Sequence, residues 1–282
     1  MKSGTKPLLK PPKRYFHRAF GSAAPLADFT VDSGLWNPNQ ETDNAPTECT
    51  GYFVADLATD LFKQLFTPDF SYAAAQYIEG VEPNDSGADF HAALQGFVAL
   101  GAVPKVLTSF SAATMGELYC ANIDNWKDLR QAALRYGPNG TLNALGNGLP
   151  YDSILSAINA SRLSVALGSP WYSEWENLGP DAVLPMPKDV NNVSTLPWHC
   201  YAGKGRQNGG IIVKSWQGPN YGKNGMAFMP PDVANAVFQV PGTGAIGINP
   251  LAIRWISLLV IACTRTPALL PLLPQLIAAN TR

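Results

Sequence analysis

At 282 residues, 46% hydrophobic and 15% charged, the chain can bury a substantial core, which excludes wholesale disorder and a minimal peptide scaffold. Its net charge of −1 hides one asymmetry: residues 1–20 carry Lys2, Lys6, Lys10, Lys13, Arg14 and Arg18 and no acid. Elsewhere no basic stripe interleaved with aromatics occurs, so no specific nucleic-acid binding is expected.

Residues 1–25 read as a basic extended arm, because Pro7, Pro11, Pro12 and Pro25 prevent regular helix. No uninterrupted apolar run of a secretory signal is seen, which favours a reducing compartment. A turn-rich loop runs from Asp32 through Gln40 to Pro46. The pattern changes at Cys49. From Thr50 to Phe66 the spacing of Val54, Ala58, Leu61 and Leu65 predicts a helix with Cys49 at its N-terminus. Thr67-Pro68-Asp69 caps a second helix through Tyr77, and a third is expected from about Asp89 to Leu100, closed by Gly101.

Residues 102–150 read as an excursion between lobes, with turns at Asn122-Ile123-Asp124-Asn125-Trp126 and Gly137-Pro138-Asn139-Gly140. A helix near Asp152 then leads into RLSVALGSPWY, a predicted strand, and GGIIVKSW and GMAFM predict two more. Helices first and strands later indicate an α+β protein, with a helical lobe followed by an antiparallel β lobe over residues 26–240. Residues 241–282 form an apolar C-terminal extension with no Asp or Glu. Its run WISLLVIACT has only ten residues before Arg265, short of the ~20 that a spanning helix needs, so packing or assembly is favoured over membrane contact by residues 251–279.

A thiol becomes nucleophilic when its negative form is favoured, as at a helix N-terminus beside a histidine. Cys49 meets the first condition; its alternative role is that of a small buried hydrophobe. Cys49, Cys120, Cys200 and Cys263 are widely spaced and form no C-x-x-C pair, against a zinc ribbon or thioredoxin-like site. The candidate bases are His17 in the arm, His91 in the third helix and His199, which follows Pro197-Trp198 at the edge of a strand region.

Taken together these segments resemble papain-family (C1) cysteine peptidases. Cys49-Thr50-Gly51-Tyr52-Phe53 resembles the start of the family's central helix, and Gln40 its oxyanion-hole glutamine. Ser86-Gly87-Ala88-Asp89 with AALQGFVALGAVP resembles its glycine-led helix, and DSILSAINASRLSVALGSPWY its helix and first strand of the second lobe. WHCYAGKGRQNGGIIVKSWQGPNYGKNGMAFM is similar to the histidine strand and the Lys-Asn-Ser-Trp-Gly segment that follows it. His199, Ser215, Trp216, Gly222, Asn224 and Gly225 match in order, and the resemblance covers about residues 28–238.

Two departures stand out. The asparagine that orients the family's histidine is absent, its place taken by Lys214 or deleted before Ser215, so Ser215 or Gln217 would accept the imidazole N–H. A positive Lys214 beside the ring would disfavour an imidazolium. Gln40 also lies farther from Cys49 than usual, across ETDNAPTE, which implies a reshaped oxyanion hole.

The resemblance implies a papain-like two-lobed fold and peptide-bond hydrolysis. Cys49 would be the nucleophile, His199 the base, Gln40 an oxyanion donor and Ser215 the orienting group, with no metal and no organic cofactor. Partners would be a protein or peptide substrate, and assembly partners through the arm and tail. The alternative is a catalytically weak or inactive papain-fold component of a viral particle or other large assembly. The expected location is cytoplasmic or virion-associated.

Overall fold

The computed structural model describes residues 27–249 apart from 44, 46, 82–86, 108–123, 139–140 and 146–150. The basic arm, the tail from 250, His17, Cys120 and Cys263 lie outside the described residues. Among those described, no helix is long and apolar enough to cross a membrane.

The helical half comes first, as its local signals require. Helix α1 spans Cys49–Phe62 and is buried from Cys49 through Asp60. It stops four residues before the expected Phe66, because Lys63 turns into the left-handed region (φ 58°) and its N–H closes onto the Thr59 carbonyl. Gly51 lets α1 meet the next helix backbone to backbone: a Cβ there would stand 2.5 Å from the Pro68 carbonyl oxygen. Helix α2, Pro68–Glu79, has Pro68 in its first turn and ends on Gly80 at φ 67°. Helix α3, Phe90–Leu100, is capped by Asp89, whose carboxylate accepts the N–H groups of His91 and Ala92 at 2.6 and 3.2 Å. Asp124–Ala133 forms α4, where the sequence suggested a connecting excursion.

Strands dominate the second half. The sheet order is β2 (Thr141–Leu145), β7 (Gly244–Asn249), β3 (Val165–Pro170), β4 (Trp198–Gln207), β5 (Gly210–Lys214), β6 (Met226–Met229), and every pairing is antiparallel. A two-residue strand β1, Phe29–Thr30, adds to the far end of β4. Asn208 and Gly209, both at positive φ (47° and 84°), make the tight β4–β5 turn that twisted hairpins favour. The sheet reaches past residue 240, because β7 lies between β2 and β3. Two further helices, α5 (Tyr151–Ser161) and α6 (Pro231–Val237), complete the α+β arrangement.

Alternation along the strands sorts the core into layers. Ala166, Cys200, Ala202 and Trp216 join α1 and α3 in one cluster. Val165, Leu167, Tyr201, Ile211 and Val213 join α5, α6, Trp171 and Trp175 in a second. A smaller cluster holds α2, α3 and α4 together through Phe70, Leu100, Leu129 and Ala133. Each fully buried large side chain adds about 1.5–3 kcal/mol by leaving water. Strand β4 thus runs between two cores, with its start beside the start of α1.

Candidate active site

Cys49 is the first residue of α1, so its sulfur sits at the positive end of a buried helix. The backbone N–H of Cys200 donates to Cys49 Sγ at 3.3 Å. A donor and a helix N-terminus both favour negative charge on the sulfur. The indole N–H of Trp216 donates to the Cys200 carbonyl at 2.8 Å, which fixes that stretch of β4 against the helix. Cys200 itself is buried in the same cluster, and burial first, then the neighbouring Cys49, pushes its thiol well above the ordinary value. It stays protonated and gives the site a backbone donor.

His199, whose Nδ1 makes no hydrogen bond to Cys49 Sγ, precedes Cys200, so its ring lies on the face of β4 opposite to the Cys200 thiol. There Trp171 meets it edge-on with ring centroids 4.6 Å apart, and Tyr201 stacks along the strand at 6.3 Å. Sequence reasoning missed Trp171 as part of the site. It follows β3 directly, and its N–H bonds to the Pro197 carbonyl at 2.8 Å, which carries it next to His199. His199 Nε2 lies 3.1 Å from Ser215 Oγ. With Ser215 accepting Nε2–H, the ring takes the tautomer that leaves Nδ1 as the basic nitrogen. Nδ1 is buried and has no hydrogen-bond partner.

Of the two alternatives for the absent asparagine, Lys214 is not the one beside the imidazole. Strand alternation sends its side chain to the α1 face, where Nζ pairs with Asp32 and Asp56, each at 2.9 Å, and donates to the Trp36 carbonyl at 2.6 Å. Ser215, one residue on, therefore faces His199.

The Gln40 loop is laced to the same segment. Gln40 N–H donates to the Trp216 carbonyl at 2.8 Å, Gly218 N–H to the Pro38 carbonyl at 2.9 Å, and Asn39 bridges Gln217. The stretch after Gln40 folds back over α1: Ala45 N–H bonds to the Gln40 carbonyl, and Asp43 accepts the Tyr52 hydroxyl at 2.8 Å. Gln40 is 1% exposed, and both atoms of its side-chain amide lack a partner.

Below the site, Asp32, Asp56 and Asp60 converge as divalent-cation ligands would. Their counter-charge comes instead from Lys204 and Lys214. Lys204 Nζ pairs with Asp56 and Asp60 and reaches Asp32 at 3.3 Å. Burial pushes the Asp56 carboxyl up against the pull of both lysines, while the same lysines outweigh burial at Asp32 and hold it down. The donor set is thus filled by ammonium groups and is structural. It pins α1, β4 and β5 in the register that sets the start of α1 against Cys200.

No protein-family model matches the chain, and no curated protein matches it significantly. Solved structures do match. Xylellain, a cysteine protease from Xylella fastidiosa, superposes with a TM-score of 0.69 at 18% identity, over 89% of this chain and 97% of that one. The fold is papain-like. Digestive procathepsin L 3 of the Tenebrio molitor larval midgut gives 0.58 at 15% identity, over 88% and 75% of the two chains. Bromelain from Ananas comosus, in complex with the E64 inhibitor, gives 0.50 at 11%, over 79% and 94%. At these identities the likeness is one of fold, and the chemistry rests on the papain-like domain's own side chains.

Burial makes the histidine a gauge of the closed site. It pushes His199 down from its ordinary 6.5 to about 3. Between those values the unfolded chain binds a proton that the folded chain does not. His199 therefore leaves stability intact above pH 6.5 and removes it as pH falls towards 3, by up to about 1.4 kcal/mol per unit. Urea unfolding at pH 4, 5, 6 and 7 should show the wild type losing more stability on acidification than His199→Gln. Parallel curves would mean that the ring titrates normally.

Proposed function

We propose that this chain is a cysteine peptidase acting through Cys49 and His199. The observation that carries the reading is the division of labour on the imidazole: Nε2 is held by Ser215, while Nδ1 is left buried and without a partner. A ring fixed in this way offers one free nitrogen; burial weakens it as a base, so its proton affinity must rise as the thiolate and substrate come to lie beside it.

For the reaction, Cys49 Sγ must come within reach of His199 Nδ1, which takes the thiol proton as the thiolate attacks the peptide carbonyl. The developing oxyanion draws on the Gln40 amide and the Cys49 backbone N–H at the start of α1. Trp171 and Ser215 keep the imidazolium in place until it gives the proton to the leaving amine. Water, deprotonated by the same ring, then releases the acyl group from Cys49.

One observation favours a second reading. Cys49 is 0% and His199 1% exposed, so the pair is closed to solvent, as suits a papain-fold component kept for assembly. Hydrolysis of a fluorogenic peptide library, with iodoacetamide labelling of the native protein at pH 6, separates the two. The peptidase reading expects turnover that falls at least about 10³-fold in Cys49→Ala, and Cys49 labelling faster than any other thiol. Turnover unchanged in Cys49→Ala, or no turnover with slow and equal labelling, favours the assembly reading.

A further inference from the structure

A cavity of about 420 Å³ opens beside the Gln40 loop, lined by Glu41, Glu176, Asn177, Gln217, Asn220 and Tyr221 among others. Its size falls in the range of small-ligand sites. It carries two carboxylates and three side-chain amides, and no described lysine or arginine lines it. Two acceptors there are also unused. Tyr221 is only 4% exposed and its hydroxyl has no partner; neither does the buried Gln217 Oε1. Gln217 Nε2 meanwhile donates to the Glu176 carbonyl at 3.4 Å, which joins the two walls.

The position is as informative as the lining. Glu41 follows Gln40, and Gln217 lies two residues after Ser215, the group that holds His199. The imidazolium must deliver its proton to the departing amine, so the segment behind it flanks the leaving-group side of the scissile bond. Gln217 and Glu41 both line the cavity, each within two residues of Ser215 or Gln40.

We propose that this cavity is a leaving-group-side subsite for a lysine or arginine side chain, read by Glu41 and Glu176. The inference rests on the peptidase reading for its place in the reaction. Two carboxylates attract a cationic side chain and repel an acidic one, so discrimination comes from both directions. Tyr221 Oη and Gln217 Oε1 lie buried in the cavity wall without partners, and a side-chain rotation would turn either towards an ammonium or guanidinium. Glu41 is exposed and Glu176 half-buried, and glutamine keeps the shape of both side chains.

Peptides identical except for Arg, Ala or Glu immediately after the scissile bond test the assignment, assayed with wild type and Glu41→Gln/Glu176→Gln. Wild type should prefer Arg to Glu by about 10–100-fold in kcat/KM, and the double variant should cut that ratio to within about 3-fold while leaving the Ala peptide unchanged. Turnover without charge preference, or preference that survives in the variant, overturns the subsite and leaves the peptidase reading standing. Titration of both proteins with argininamide, the free leaving group, followed by calorimetry gives a readout without catalysis. Binding that weakens about 10-fold in the double variant supports the subsite even if no peptide is cleaved. Equal or absent binding overturns it.

Discussion

Lys204→Met should lower the unfolding free energy by about 3–5 kcal/mol, read from urea unfolding at pH 7. The lysine is fully buried, and its ammonium pairs with Asp56, Asp60 and Asp32. Methionine keeps most of the volume and removes the charge, leaving three aspartates around one remaining cation, Lys214. Their unfavourable burial was offset by the hub, and the penalty now falls on the folded state alone. The sign of the pH dependence follows. Without Lys204 the folded carboxylates hold protons that the unfolded chain has released, so the variant regains stability as pH falls below neutral. Asp60→Leu added to Lys204→Met should restore part of the loss, because one fewer charge is stranded. A loss under 1 kcal/mol, or one independent of pH, would mean that water already solvates these groups.

This network was only partly legible in the sequence. Asp56 and Asp60 are four residues apart on a helix whose other buried positions are mostly apolar, a signal that a buried cation must face them. The sequence did not show which cation, because that depends on the face each residue of β4 and β5 presents. Hence the sequence leaves open whether Lys214 or Ser215 stands beside His199; strand alternation sends Lys214 to the aspartates and turns Ser215 to the ring. Local signals fared better. Pro68 in the first turn of α2 and Asp89 capping α3 fixed two helix starts, and Gly101 closed α3 because a Cβ there would lie 1.9 Å from the Ala133 carbonyl oxygen. Strands β2 and β7 leave little local trace in the sequence, since they pair with each other across about a hundred residues. The GAIGIN of β7 has small residues where long β-branched ones would have announced a strand, so it read as part of an apolar tail.

Gln40→Met should lower kcat by about 10²–10³-fold with little change in KM, and should raise stability by about 1–3 kcal/mol at the same time. The two effects share one cause. The Gln40 amide is buried with both its atoms unpaired, a state that penalises folding and persists when the group has another use. Its backbone is tied to Trp216 and Ala45 and does not depend on the side chain, so methionine leaves the loop in place. On the proposed peptidase reading, an oxyanion forms only on the way through the transition state, and the amide N–H would find its partner only then. Removing it costs rate, not ground-state binding, while an apolar side chain of similar volume relieves the strain of an unsatisfied group. A purely structural glutamine predicts the reverse: stability and activity would fall together and KM would move with them. Measuring kcat, KM and the urea midpoint on the same preparation distinguishes the two, because only a group held unsatisfied for the transition state gives opposite signs.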